Sequence, residues 1–205
     1  FLDHSGVPAT DVRSSGNYGV YHSAFDDFAW FKKFGDPNFL YSQEVARVTG
    51  LQVLRMADAE VLPYDYAEYA KEITNYLDAA QKKATATFAD RAPSFDAALA
   101  AAARFAKAAA AANEMRAHPP SDPRALNTAL RNTESALLLP KGLPRRPWFK
   151  HAIYAPADLR GYSASVIPGV NESIDRKDAA ATAEQLQALT GVLVRASETL
   201  ENVRR

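Results

Sequence analysis

Residues 93–118 read PSFDAALAAAARFAKAAAAANEMRAH, and this alanine-rich stretch decides the fold class. Alanine is the strongest helix former, and Pro93-Ser94 supplies residue types that open a helix. Leu99 and Phe105 lie within the stretch as candidate core residues. Because alanine side chains form only a thin layer, a helix of this composition lets a neighbouring helix approach closely. The stretch predicts a packed helix rather than a recognition element, since alanine carries no chemistry.

Segments on both sides of this stretch carry apolar residues at helical spacing. We expect helices from about Asp65 to Thr87, from about Asp122 to Leu138 and from about Ala179 to Val203. The sequence Leu-Pro-Tyr-Asp at residues 62–65 breaks the chain before the first of them, as domain boundaries commonly do. We therefore predict a mainly α fold in which residues 61–205 form a helical bundle and residues 1–60 form a separate part.

The first sixty residues are predicted to contain a strand and a loop as well as helices. We expect Val7–Val12 to be a short strand that leads into a turn-rich loop at residues 14–19. Helices are expected from Asp26 to Gly35 and from Asp36 through about Ala59. A lone strand cannot satisfy its backbone hydrogen bonds, so this one either pairs with a sheet outside the sequence or stays unpaired. We favour pairing with a sheet outside the sequence. Residues 1–60 are then expected to be a strand-loop-helix remnant of an α/β domain.

Residues 139–178 connect the last two helices of the bundle. The segment contains Pro140, Pro144, Pro147, Pro156 and Pro168, which preclude a continuous helix. Its aromatic residues make it too apolar for a free linker. We expect a long ordered loop, which in proteins is usually functional or packed over a neighbouring element.

Composition excludes several classes of protein. The 24 basic and 24 acidic residues cancel, so nothing attracts the chain as a whole to nucleic acid or to a membrane surface. The sequence has no cysteine, which rules out disulfides, thiolate metal sites and a cysteine nucleophile, and leaves His, Asp and Glu as metal ligands. No window holds 18 uncharged apolar residues, so we expect no membrane-spanning helix.

Four histidines are the candidate metal ligands, namely His4, His22, His118 and His151. A single histidine is more often a structural hydrogen-bonding residue than a ligand. His22 stands out because it lies in a glycine-bearing loop just before a helix, where catalytic groups are commonly placed. The adjacent Asp26 and Asp27 are better explained as charges that complement the helix dipole. A hydrolytic zinc site needs at least three protein ligands, and the chain offers no convincing set of three.

Short motifs spread along the chain resemble those of a known family. In chain order they are GVYHSAFDDF at 19–28, KFGDP at 33–37, VLPYD at 61–65, GLPRRP at 142–147, HAIYAP at 151–156 and PG at 168–169. Their order resembles the end of the glutamate carboxypeptidase II and transferrin receptor family. The resemblance implies that residues 1–60 are the tail of a zinc peptidase domain and that residues 61–205 are a transferrin receptor-like helical dimerisation domain.

The resemblance also assigns roles to individual residues. In the peptidases of this family the histidine of the Tyr-His-Ser motif binds one of two zinc ions, so His22 is the implied metal ligand. Tyr21 would donate a hydrogen bond to the oxyanion of the reacting carbonyl. A lysine–tyrosine pair grips the substrate carboxylate in glutamate-preferring members, and here it is Gly161-Tyr162. Tyr162 keeps the donor, with plain packing as its alternative role. The missing ammonium weakens the expected preference for glutamate, although the adjacent Arg160 could supply charge.

The resemblance implies a function for a longer protein. The other zinc ligands and the general base would precede Phe1, so the isolated chain is expected to be inactive. The full-length protein would be a two-zinc carboxypeptidase or aminopeptidase that acts on peptides and is secreted or periplasmic. The helical domain would form a homodimer. The alternative is a non-enzymatic, transferrin receptor-like dimerisation or binding module, against which His22 argues, since such a module has no reason to keep this imidazole.

Overall fold

The computed structural model of the chain describes residues 1–16, 18–158 and 163–204. The chain divides into two compact units. The helical unit comprises Phe1–Ala9 and Val61–Arg205, and the small unit comprises Thr10–Glu60.

The described residues are mainly helical. The helices are α1 (Leu2–Ser5), α2 (Phe28–Trp30) continued by a π-helical turn (Phe31–Gly35), α3 (Leu40–Ala57), α4 (Tyr66–Phe88), α5 (Asp96–Ala117), α6 (Arg124–Ala136), α7 (Pro168–Asp175) and α8 (Ala179–Glu201). Short 3₁₀ turns, Ala89–Arg91 and Asn202–Arg204, follow α4 and α8. Strands β1 (Tyr154–Pro156) and β2 (Ala164–Val166) form a two-stranded antiparallel sheet. The prediction of a mainly α fold is confirmed.

Helix α4 begins where the sequence predicts, because Asp65 caps it. The Asp65 carboxylate accepts hydrogen bonds from the backbone N–H groups of Ala67 and Glu68, both at 3.1 Å, which satisfies donors that a helix start leaves unpaired. The Asn113 side-chain amide on α5 donates to the same carboxylate at 2.8 Å. The bond from Asn113 and those from the backbone lower the pKa of Asp65, so this cap is ionised at neutral pH.

Helix α5 packs between α4 and α8, as the alanine stretch predicts. Its buried side chains are almost all methyl groups, and Phe105 is the one large side chain that it buries fully among them. The small side chains leave room for the leucine stripe of α8, in which Leu186, Leu189, Leu193 and Leu200 are buried. Helix α8 also packs on α6 and α7, so it is the central element of the helical unit.

The described part of the connection between α6 and α8 is ordered, and it is more regular than predicted. It contains the β1–β2 hairpin and helix α7, where the sequence favoured a loop throughout. Pro168 occupies the first turn of α7, a position that tolerates proline because the N–H groups of a first turn have no helical partner. Pro168 is therefore a helix start rather than a helix breaker.

The described residues between Val7 and Glu60 form the two predicted helices but no strand. Residues 7–12 have no backbone pairing in the structure, and a strand exists only as paired backbone, so the predicted strand at Val7–Val12 is not formed. The turn before α3 is held by Asp36, whose carboxylate accepts from both the backbone N–H and the hydroxyl of Ser42 at 2.8 Å. The helix itself starts at Leu40, a few residues later than expected.

None of the helices in the described parts of the chain combines the length and the apolar character that crossing a bilayer requires.

Candidate functional site

His22 and Tyr21 lie together on a tight turn of the small unit. The turn is closed by a hydrogen bond from the Ser23 N–H to the Val20 carbonyl at 2.9 Å. The two rings stack with their centroids 3.9 Å apart, and both residues are exposed. The backbone of His22 has a φ of 63°, in the left-handed region that a side chain other than glycine adopts at some cost. Five other non-glycine residues of the described chain also have a positive φ, so the backbone alone does not distinguish His22.

The imidazole of His22 is the one side chain on this turn that could bind a metal ion. The described residues contain no group of three His, Cys, Asp or Glu side chains able to hold a metal ion together. The Asp27 carboxylate already accepts a hydrogen bond from the Trp30 N–H at 2.8 Å. This bond caps the start of α2. The helix-capping interpretation of Asp27 is therefore confirmed. An imidazole is a ligand type that zinc accepts, but His22 by itself is fewer than the three protein ligands that a catalytic zinc site needs.

The small unit presents large apolar side chains without a core of its own. Within the described residues, every buried apolar side chain belongs to the helical unit. The exposed side chains of the small unit include Tyr18, Tyr21, Phe25, Phe28, Phe34, Leu40, Tyr41, Val48, Leu51, Val53 and Leu54. Exposed apolar surface of this kind is typical of an interaction site.

The predicted substrate residue Tyr162 lies outside the described residues, as do Gly161 and Arg160. The structure describes the chain up to Asp158 and again from Ser163. Tyr154 pairs with Val166 and Pro156 pairs with Ala164, and the Ala157 N–H donates to the Ser163 carbonyl at 2.8 Å.

The other three histidines have structural roles. His4 stacks on Trp148 with 4.0 Å between ring centroids, and its Nδ1 lies 2.8 Å from the Trp148 carbonyl oxygen. His118 forms the C-terminal cap of α5. His151 is fully buried and hydrogen-bonds through Nε2 to the Glu134 carboxylate at 2.9 Å.

His151 and Glu134 form the centre of a buried polar network that the sequence did not reveal. The Tyr69 hydroxyl donates to the same Glu134 oxygen at 3.2 Å. Burial and the charge of Glu134 raise the pKa of Tyr69 well above its usual value, so this hydroxyl stays a donor. The Tyr154 ring, from the HAIYAP motif, stacks on the Tyr69 ring at 5.9 Å. These contacts assign His151 to the core of the helical unit rather than to chemistry.

Arg146 and Glu172 are the second feature that sequence reasoning missed. They form an ion pair in which the two side chains are only 13% and 10% exposed. The one available signal was the arginine within GLPRRP, because a charged residue between prolines in an apolar loop needs a partner.

Comparison with known proteins agrees with this architecture. Residues 79–201 match the family model of the transferrin receptor-like dimerisation domain. The chain is 35% identical over 179 residues to the probable glutamate carboxypeptidase LAMP1 of Arabidopsis thaliana, covering 85% of this chain and 25% of that protein. It is 30% identical to the probable glutamate carboxypeptidase VP8 of Zea mays, covering 92% and 27% of the two chains. It is 32% identical to the aminopeptidase NAALADL1 of Rattus norvegicus, covering 86% and 25%.

The chain spans about a quarter of the length of these curated relatives. The family model covers more than half of the chain, from within α4 to the end of α8. Both findings agree with the resemblance that the motifs carry, which is therefore confirmed. The chain belongs to the transferrin receptor-like dimerisation domain family, and its relatives are named as peptidases.

Proposed function

We propose that this chain is the C-terminal part of a two-zinc exopeptidase. Residues 1–60 are the tail of its peptidase domain, and residues 61–205 are its helical dimerisation domain. The observation that carries the proposal is His22, an exposed imidazole on a strained turn beside Tyr21, in a chain whose relatives are named glutamate carboxypeptidases and an aminopeptidase. The uncovered apolar surface of the small unit supports it, since the rest of a peptidase domain would cover that surface.

In this proposal His22, Tyr21 and Tyr162 each have a separate role in peptide hydrolysis. His22 supplies one nitrogen ligand, and its fixed place on the turn orients the ring. When bound, zinc would supply an activated water molecule and a positive charge that polarises the carbonyl of the peptide bond. Tyr21 donates a hydrogen bond to the carbonyl oxygen as negative charge develops on it. Tyr162 holds the end of the peptide substrate.

The test compares the full-length protein with a His22→Ala variant, measuring bound zinc and the hydrolysis of short peptides. We expect the variant to lose zinc and to hydrolyse peptides about 100-fold more slowly or worse, because loss of even an indirect metal contact costs about 10–100-fold. His118→Ala is the matched control, since it removes an exposed histidine that only ends a helix. Equal zinc and equal rates in both variants contradict the role of His22, whereas a native protein that binds no zinc and hydrolyses no peptide leaves the non-enzymatic binding module as the function.

We further propose that the helical unit forms a homodimer, as the name of its family implies. A closed two-fold dimer is the commonest assembly of soluble homo-oligomers. Light scattering on the 205-residue chain is expected to give twice the mass of one chain, and a monomer at high micromolar concentration would refute the dimer.

A further inference from the structure

A groove lies in the helical unit between α8 and the loop of residues 139–147. Its volume is about 660 Å³, within the range of cavities that bind a drug-sized ligand. The residues of α8 that line it are Asp178, Ala181, Glu184, Gln185 and Ala188. They recur at intervals of three and four, so they follow one face of the helix. Because a helix rises about 1.5 Å per residue, the groove runs for about 15 Å along α8.

The loop forms an ordered wall of this groove. The Gly142 N–H donates to the Leu139 carbonyl at 3.0 Å. The Leu143 N–H donates to the Phe149 carbonyl at 2.8 Å, which closes the loop on itself. Proline rings restrict the backbone further, and the wall contains Pro140, Pro144 and Pro147. A wall that is ordered before binding reduces the entropy that a ligand has to overcome.

Two cations on the loop wall are left for a ligand. Lys141 and Arg145 both line the groove and are exposed. Neither side chain forms an ion pair with any residue that the structure describes. Arg145 acts on the Asp158 carboxylate only at longer range, and that carboxylate is already paired with Arg176 at 2.8 Å.

Most of the other charged groups in the groove have partners. The Asp178 carboxylate accepts from the Ala181 N–H at 2.9 Å and caps α8. Arg176 is paired with Asp158 and with Glu172. Glu184 is the lining carboxylate without an ion pair among the described residues, and it lies on α8 rather than on the loop. The free charges are therefore two cations on the loop wall and one anion on the helix wall.

Gln185 places an amide group between the two walls. It is half-buried, and its Oε1 lies so close to Gly169 that a Cβ added there would be 2.4 Å away. The amide makes no hydrogen bond to a residue in the described parts of the chain. A primary amide can donate to a peptide carbonyl and accept from a peptide N–H. Ala181 and Ala188, about one turn away on either side, leave room for a backbone to approach.

We propose that this groove binds a short extended peptide segment of a partner protein, with an acidic side chain that pairs with Lys141 and Arg145. Gln185 hydrogen-bonds the backbone of the segment, and Glu184 favours a neutral or basic residue at the helix wall. An extended chain rises about 3.3 Å per residue, so four or five residues match the length of the groove. The inference does not depend on the proposed peptidase function.

The first experiment titrates the ¹⁵N-labelled 205-residue chain with the end-blocked pentapeptide Ala-Ala-Glu-Ala-Ala and records NMR spectra. We expect saturable shifts at the amides of Lys141, Gly142, Gln185 and Ala188. The same peptide with glutamine in place of glutamate should bind about tenfold more weakly, because it loses a charge-assisted hydrogen bond. Equal binding of the two peptides would overturn the proposal. Free glutamate that binds as tightly as the pentapeptide would also overturn it, since a small acid would then be the ligand.

Reversing the charge of the loop wall tests the two cations. Lys141→Glu combined with Arg145→Glu should weaken the glutamate peptide at least about tenfold and strengthen Ala-Ala-Lys-Ala-Ala. Lys82→Glu combined with Lys107→Glu is the matched control, since both residues are exposed and lie on α4 and α5 outside the groove. The control changes the net charge equally and should leave both peptides unaffected. An equal loss in the control would attribute the binding to long-range attraction and overturn the site.

Filling the groove tests where the peptide lies. Ala188→Phe puts a ring into the groove and should abolish the shifts, whereas Ala183→Phe puts the same ring on an exposed position of α8 outside the lining. Circular dichroism checks that both variants fold, and the charge-reversed variant tests the site without touching the core. Unchanged binding by a folded Ala188→Phe variant would place the peptide elsewhere.

A second copy of the chain is the other possible occupant of the groove. Groove amides that shift with protein concentration, and do not shift with either peptide, would identify that occupant. Such a result would overturn the proposed peptide site.

Discussion

Replacing His151 with leucine is expected to lower the free energy of unfolding of the 205-residue chain by about 3–5 kcal/mol. The substitution leaves the Glu134 carboxylate buried with the Tyr69 hydroxyl as its remaining side-chain donor. It also removes the ring nitrogen that accepts from the backbone N–H groups of Ile153 and Tyr154, both at 3.2 Å. Urea unfolding followed by circular dichroism measures the loss.

The bonding pattern of His151 also determines where its proton lies. Because Nδ1 accepts two backbone hydrogen bonds, the ring proton is on Nε2 and is donated to Glu134. The contact is then a hydrogen bond from a ring with one proton rather than a bond between two full charges. Glu134→Gln keeps an acceptor at the same place, so it should cost no more than about 1–2 kcal/mol.

Two controls follow from this assignment. Replacing both His151 and Glu134 with leucine should recover part of the stability, since no unpaired charge then remains in the core. If Glu134→Gln instead destabilised the chain as much as His151→Leu, the ring would carry a full positive charge and the assignment would be wrong.

Replacing Gly142 with alanine is expected to destabilise the chain by about 2–4 kcal/mol. A Cβ atom at this position would lie 2.2 Å from the Pro147 carbonyl oxygen, a backbone atom that cannot rotate away. The residue also has a φ of 69°, which alanine adopts only with strain. The loop between Leu139 and Lys150 would have to open, and these two residues are joined by a backbone hydrogen bond of 2.7 Å. Thermal unfolding and urea unfolding both report the change.

Gly191→Ala is the matched control for this effect. Gly191 lies in the middle of α8, and a Cβ there would come no nearer than 4.0 Å to the end of the Arg195 side chain. Alanine should therefore stabilise the chain by up to about 1 kcal/mol, since it is the better helix former. A Gly142→Ala variant that unfolds at the same urea concentration as the native chain would contradict this prediction. It would show that the loop around Pro147 can move away from the added Cβ with little loss of stability.

The candidate site was visible in the sequence only through its motif. Tyr21, His22 and Ser23 stood out because of their order beside other motifs, and no hydrophobic pattern marks them. The left-handed backbone of His22 could not be foreseen, since histidine does not require that conformation. The arginine within GLPRRP indicated that Arg146 needs a partner, but nothing local identified Glu172, because 26 residues separate the two.

The long helices were determined by the sequence itself. The apolar spacing in α4, α5, α6 and α8, and the caps such as Asp65, act between residues within a turn of one another, so the order of residues is enough to predict them. The short helix α7 escaped prediction because eight residues give too little periodicity to outweigh a proline.

Tertiary packing alone brought Glu134 to His151 and Arg146 to Glu172. Both contacts bury charge, which is tolerable only where the fold has already placed a partner within hydrogen-bond distance. Residues far apart in the chain acquire such partners through packing. The residues next to them in the sequence therefore do not indicate which partner they will have.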